Sequence, residues 1–307
     1  MNAAIAVEGL VKSYGPVKAI DGLTFAVGEA SMYGLIGPDG AGKTTFMRIA
    51  VCLLGQDGGT VVIRGHDTRR EAHRIRRIIG YMPQQFSQYV DLTVEENLKF
   101  FADLFGIGSR ERKRRIGRLL EFSRLGPFVK RPAGKLSGGM KRKLALSCTL
   151  IHTPEILFLD EPTTGVDPVS RREFWDILSE VKREGTTVLV STPYMDEAAR
   201  CDRVGFVMGG RLIREGDPRK LPETFAAEIV LVRAPDIVRR TRTVTFPGEV
   251  SEVMVFGDRL HLTVPDASAA IPIIRRFVEG IGISAPVIER VSPSMEDIFV
   301  ESMTHAT

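Results

Sequence analysis

Nine consecutive residues, Gly37-Pro38-Asp39-Gly40-Ala41-Gly42-Lys43-Thr44-Thr45, fit the pattern G-x-x-x-x-G-K-[ST], a loop that wraps phosphates with its own backbone. Gly37, Gly40 and Gly42 admit backbone conformations closed to residues with a Cβ, so successive N–H groups can turn toward an anion. Lys43 supplies a point charge for the β- and γ-phosphates and Thr44 offers a hydroxyl to Mg²⁺. A helix opening there adds the positive end of its dipole. Farther along, the apolar run 155–159 ends in Asp160-Glu161-Pro162. An acid pair beside a phosphate loop suits a metal held by Asp160, through water, and a base or water-orienting carboxylate at Glu161. Gln84, after Tyr81-Met82-Pro83, can serve as a neutral oxygen ligand to the metal or position a water, and alone it is no evidence.

Three further places have both an ordinary and a functional reading. Ser137 in Leu136-Ser137-Gly138-Gly139-Met140 caps a helix, and Gly138 and Gly139 leave its first N–H groups uncovered. That is either a plain cap or a second phosphate grip, and so far from the first loop in sequence a second grip makes most sense when presented to another subunit. Asp167 with Pro168 opens another helix, and capping explains that aspartate completely. Tyr14, in a turn ahead of the phosphate loop, is a strand-end aromatic or a ring stacked on adenine.

The elements that must position these residues follow from periodicity. Residues 5–10 and 23–27 read as short strands, 31–36 as the buried strand feeding the loop, and 46–54 as the helix leaving it. Strands are expected at 60–64, 80–82, 155–159 and 187–190. Thr93 and Glu96 form a capping box opening a helix to about residue 105, with Val94, Leu98, Phe101 and Phe105 on one face. A basic helix over 109–125 and one from Ser137 to about residue 152 complete a helical insert at about 90–150. The helix after Asp167 stops at Gly185. Beyond residue 222 the character changes: strands at 228–233, 243–246, 253–256, 260–264 and 283–291, with helices at 267–279 and 293–303. The expectation is an α/β fold with a nucleotide-binding domain over 1–222 and a small α+β domain over 228–307. His261 sits on an alternating strand as a packed or exposed histidine.

The chain has 307 residues, 43% hydrophobic and 26% charged, with material for a sizeable core. Cys52, Cys148 and Cys201 share no C-x-x-C spacing and read as reduced thiols consistent with cytosol. No run approaches the roughly 18 apolar residues of a membrane span, and the N-terminus lacks a secretory pattern. Residues 110–131 hold nine Lys/Arg against two acids, and 69–77 hold five Arg against Glu71. Such runs are solvated helix faces or a surface facing anionic lipid. No aromatic residues interleave as single-strand nucleic-acid readers need, so no nucleic acid is expected.

Taken in order, Tyr14, the 37–45 loop, Gln84, residues 136–140, the Asp160-Glu161 pair and Asp167 resemble an ATP-binding cassette over about the first 220 residues. The resemblance implies a P-loop NTPase fold binding ATP and Mg²⁺. Tyr14 would stack on adenine, Gln84 sense metal and permease, and Ser137, Gly138 and Gly139 close on a partner's ATP. Asp160 and Glu161 would be the Walker B pair, and Asp167 the aspartate reaching across the dimer. Gly80-Tyr81-Met82-Pro83-Gln84, Met140, Gly165-Val166-Asp167-Pro168 and the ending Ser294-Met295-Glu296-Asp297-Ile298-Phe299 are similar to exporter ATPases that drive ABC-2-type permeases. The N-terminal half of tandem-cassette forms is the nearest likeness. It implies a peripheral subunit on the cytoplasmic face of the membrane, with a permease and a second cassette as partners.

One position departs from the family. Where its switch histidine stands, after Ser191-Thr192, this chain has Pro193, and no histidine occurs between residues 153 and 260. Proline brings no side-chain donor to the γ-phosphate, and losing one preorganised donor typically costs about 3–4 kcal/mol of transition-state stabilisation. The expectation is an asymmetric pair: slow hydrolysis at this chain's own loop, while its serine–glycine patch completes a faster site elsewhere. A homodimer using Tyr194 or water in place of histidine is the alternative. From another class, the rival is a soluble cassette acting on ribosomes or nucleic acid, which would bring a fused cassette with a charged linker, or coiled coils, neither seen here.

Overall fold

A computed structural model of the chain describes residues 3–242 and 244–306. It divides into two compact units, one ending at Asp217 and the other beginning at Pro218.

The first unit opens with a long antiparallel hairpin, β1 (Ala3–Tyr14) and β2 (Val17–Gly28). Tyr14 is the last residue of β1, paired with Val17, and not part of the turn. The strands run past the expected limits because polar residues on their outer face still pair through the backbone. β3 (Met32–Ile36) is buried at every position and leads into α1 (Lys43–Ala50). This helix starts at the lysine itself and stops four residues short of the expected end, where Cys52 turns left-handed at φ 59°. β4 (Gly58–Ile63), β5 (His66–Asp67), α2 (Ala72–Ile78) and β6 (Ile79–Met82) follow.

Next come α3 (Val94–Leu104), α4 (Ser109–Phe122) and α5 (Gly138–Leu150). Both halves of the Thr93–Glu96 capping box are present. The buried face of α3 is Val94, Asn97, Leu98 and Ala102, whereas Phe105 lies outside, stacked on His152 at 3.8 Å. The expected stripe missed Asn97 because its amide is satisfied internally, bonding the backbone of Tyr89, Leu92 and Thr93. Much of the α4 charge is spent within the chain: Arg114 and Arg115 bond Glu111, Arg112 bonds Asp103, and Arg118 bonds Glu184.

β7 (Ile156–Asp160), α6 (Pro168–Arg183), β8 (Thr187–Thr192), α7 (Met195–Ala198), β9 (Arg203–Met208) and β10 (Arg211–Gly216) complete the unit. The central sheet has strand order β10-β9-β3-β8-β7-β6, parallel except for β10; a second, antiparallel sheet has order β2-β1-β4-β5. In the core they share, Phe25 stacks on Tyr33 and meets Phe46 edge-on.

The second unit is a four-stranded antiparallel sheet, order β12-β13-β11-β14, built from β11 (Glu228–Arg233), β12 (Glu252–Phe256), β13 (Arg259–Val264) and β14 (Val287–Val291). Helices α8 (Ile237–Thr241), α9 (Ala267–Gly280) and α10 (Met295–Ala306) accompany it. The strand expected at 243–246 is absent: Thr243 lies outside the described residues, and 244–246 form no ladder. β14 begins only at Val287, since 283–286 turn through Ala285 at positive φ. His261 is packed and paired, its Nδ1 3.1 Å from both carboxylate oxygens of the buried Asp297.

Candidate active site

Parallel pairing gathers the chemistry at one edge. Ile36 stands opposite Thr192, Asp160 opposite Ser191, and Met82 opposite Leu159. The segments leaving β3, β6, β7 and β8 therefore emerge side by side at the carboxyl ends of the sheet, where such folds place ligands. A cavity of about 400 Å³ lies there, lined by residues 39–45 together with Ala19, Gln84 and Glu161.

Glycine is required at two points of the loop. A Cβ on Gly37 would sit 2.2 Å from the Val207 carbonyl oxygen. Gly42 holds φ at 103°, and a Cβ there would meet Ala19 O at 2.4 Å. Lys43 is buried and donates to the carbonyls of Gly37 (2.8 Å) and Pro38 (3.0 Å), while its ammonium pairs with Glu161 Oε1 at 3.3 Å. Pro38, Asp39 and Gly40 are exposed at the mouth of the loop.

Asp160 Oδ1 accepts from Thr44 Oγ1 (3.1 Å) and from Ser191 Oγ (2.7 Å). Its Oδ2 is buried and has no hydrogen-bond partner among the described residues. An unsatisfied carboxylate oxygen beside a threonine hydroxyl fits Mg²⁺, which takes one or two protein ligands plus phosphate oxygens and water. No cluster of three or more His, Cys, Asp or Glu residues able to hold a metal occurs among the described residues. Burial, and after it the Asp160 charge, push the nearby Tyr81 hydroxyl up to about 12.

Glu161 has φ 45°, an uncommon conformation for a residue with a side chain, and its N–H is held by both the carbonyl and the hydroxyl of Ser191 (3.1 Å each). The turn swings its carboxylate to the phosphate loop. There Oε2 accepts from Gln84 Nε2 (2.9 Å) and Thr164 Oγ1 (3.4 Å).

Tyr14, Ser137, Gly138, Gly139 and Asp167 do not line this cavity. Ser137 caps α5 through Met140 N (3.3 Å), and Asp167 caps α6 through Ser170 N (2.9 Å), a bond that holds its carboxyl below the usual carboxylate range. A Cβ on Gly139 would approach Ser170 Oγ to 2.4 Å, so the two helix N-termini pack together. Ser137, Gly138 and Asp167 are exposed there as one surface. Tyr14 is half-exposed, with Lys12 Nζ 5.9 Å from its ring centre, and it is Ala19 of β2 that reaches the cavity.

Sequence reasoning missed the groups that hold these parts. Ser191 bridges Asp160 and Glu161. Buried Glu197 accepts from Thr192 Oγ1 (2.6 Å) and from Thr163 Oγ1, and Arg171 lies 3.6 Å from Glu197 and over the Tyr194 ring (4.3 Å). The loop carrying Pro193 is thereby pinned to the segment after β7. Hydroxyls at a strand end carry no motif, so only the fold reveals them.

A family profile described as ABC transporter matches residues 20–164. The daunorubicin resistance ATP-binding protein DrrA3 of Streptomyces coeruleorubidus is 36% identical over 305 residues, spanning 97% of this chain and 95% of that protein. The chain belongs to the ABC transporter family. This cassette is also 40% identical, over 98% of its length, to the probable multidrug ABC transporter ATP-binding protein YbhF of Escherichia coli K12, of which it spans 52%. A solved structure described as an ATP-binding subunit of an ABC transporter aligns with TM-score 0.66 and 29% identity, over 72% of this chain and 93% of that one. The dimeric post-hydrolysis state of the cassette MJ0796 bound to ADP and Pi aligns at 0.64 and 27%, over 69% and 98%. The cassette thus has the P-loop NTPase fold of ATP-hydrolysing relatives.

Proposed function

We propose that this chain binds and hydrolyses ATP to energise export through a separate ABC-2-type permease, working from the cytoplasmic face of the membrane and paired with a second cassette. The observation that carries this reading is the convergence of Lys43, Gln84, Asp160 and Glu161 on the 37–45 loop.

In this reading the loop amides and Lys43 bind the β- and γ-phosphates and hold them in one orientation. Asp160, Thr44 and Gln84 hold Mg²⁺, which neutralises charge on the phosphates when bound. Glu161 takes a proton from, or orients, the attacking water. Phosphates drawing Lys43 away free Glu161 Oε1 for that task. Gln84 and Thr164 keep the other oxygen in place.

The exposed surface of Ser137, Gly138 and Asp167 favours a site completed across two cassettes, since none of the three lines this chain's own cavity. Pro193 brings no donor to the γ-phosphate, so hydrolysis at this chain's loop is slow. Tyr14 is the adenine contact. For the permease, exposed apolar side chains follow the Gln84 loop: Tyr89 (49%), Val90 (49%), Phe100 (39%) and Leu104 (66%). Such a patch marks a protein contact more often than bare surface. Among the described residues no helix is long and apolar enough to cross a membrane. Two compact units, a catalytic one and an accessory α+β one, fit this role.

The test is Glu161→Gln in the purified full chain. ATP should still bind and drive dimerisation in sedimentation, while single-turnover hydrolysis falls by about 10²-fold or more. Brisk hydrolysis by a strict monomer would refute the reading.

A further inference from the structure

Arg142 lies in α5, five residues after Ser137, about 7.5 Å along the helix axis. Its Nη1 donates to the backbone carbonyl of Gln84 at 2.7 Å and its Nη2 to the backbone carbonyl of Thr164 at 3.5 Å. Gln84 and Thr164 are the two residues whose side chains bond Glu161 Oε2. One planar guanidinium thus spans two chain segments, one after β6 and one after β7, directly behind the pair of donors that fix a single carboxylate oxygen. Arginine suits this because its fork presents several N–H groups in fixed directions, which a lysine cannot do. Burial alone lowers the Arg142 pKa, with no charged neighbour contributing.

We propose that Arg142 is a positioning residue for Glu161, and that through it the placement of the Ser137 end of α5 is passed to that carboxylate. The inference rests on the reading of Glu161 as the base or water-orienting group. A partner's nucleotide engaging the serine–glycine surface would move α5, and the guanidinium would carry that movement to the backbones of Gln84 and Thr164. Hydrolysis is then tied to closure of the pair even though Arg142 touches no substrate.

The experiment is single-turnover ATP hydrolysis by the full chain carrying Arg142→Met or Arg142→Lys, with Glu161→Gln alongside. Arg142→Met should lower the rate at saturating ATP by about tenfold or more, with the ATP concentration for half-maximal rate unchanged within about twofold. Arg142→Lys should fall between, and added guanidinium at low millimolar concentration should restore part of the Met variant's rate. A merely structural role would shift the thermal midpoint and the half-saturating concentration together, without rescue, and would overturn the proposal. So would a Met variant at parental rate while Glu161→Gln is inactive. If Glu161→Gln keeps parental activity, it is the reading of the site that fails. Should the Met variant not fold, a Lys variant at parental rate overturns the proposal.

Discussion

Lys43 Nζ lies 3.3 Å from Glu161 Oε1, with both side chains almost wholly shut off from solvent. Each neutralises the other, and in the proposed function each is needed elsewhere once phosphate is present. Lys43→Met therefore has two expected effects. Nucleotide affinity falls by roughly ten- to a hundredfold, the worth of a hydrogen bond to a charged group at about 1.5–3 kcal/mol. The nucleotide-free chain also loses about 1–3 kcal/mol, because the Glu161 carboxylate keeps only Gln84 and Thr164 as donors. Calorimetric titration with ATP and urea unfolding measure the two; an unchanged urea midpoint would show that the pair contributes nothing to folding.

Pro193 follows Thr192, whose hydroxyl bonds Glu197, and precedes Tyr194, whose ring lies under Arg171. The loop is anchored on both sides, so a new side chain there is presented on a rigid support. Pro193→His is expected to raise single-turnover hydrolysis by at least tenfold, since one well-placed donor is worth about 10²–10³ in rate. A rate unchanged within twofold would refute the proposed link between Pro193 and slow hydrolysis.

Gly37→Ala should be poorly tolerated. The added methyl would stand 2.2 Å from a backbone carbonyl of β9, which cannot move without disturbing the central sheet. A loss of about 2 kcal/mol or more is expected, as for other overpacked cores. Gly55→Ala is the comparison, since a Cβ there meets nothing within 4 Å, and thermal unfolding of the two reads the difference.

Cys148 and Cys201 are buried, and burial pushes both thiols up; the half-buried Cys52 is pushed up less, again by burial. Folded-state values above the unfolded ones mean that these groups contribute stability fully present below the ordinary thiol range. That contribution is lost as pH rises past it, because the unfolded chain then ionises and the folded chain does not. Urea midpoints should therefore fall from pH 8 to pH 10. Native-state alkylation should be confined to Cys52, quickening about tenfold per pH unit as thiolate forms. Early labelling of Cys148 or Cys201 would contradict the burial.

Much of the first unit was legible because its signals are local. The 37–45 loop, the Thr93 capping box, the Asp160-Glu161 pair and the Ser137 and Asp167 caps each depend on neighbours a few residues away. The readings that failed depended on how the backbone pairs, which residue types alone do not record. Tyr14 reads as a turn residue until Val17 pairs with it, and the α3 stripe misses Asn97 because its amide is satisfied by the backbone of Tyr89, Leu92 and Thr93. Residues 244–246 alternate like a strand yet find no partner strand in the sheet.

By itself the amino-acid order determined which groups can meet phosphate, metal and water, since loop glycines, a lysine and two carboxylates carry their chemistry wherever the chain puts them. It also determined that Pro193 has no donor to give. Only the tertiary structure decided that Ser191 ties Asp160 to Glu161, that Arg142 stands behind Gln84 and Thr164, and that Ser137 and Asp167 share a surface apart from the chain's own cavity. These are contacts between segments joined by parallel strands and crossover helices, and their register is set by packing of the whole sheet, which no short stretch of sequence records.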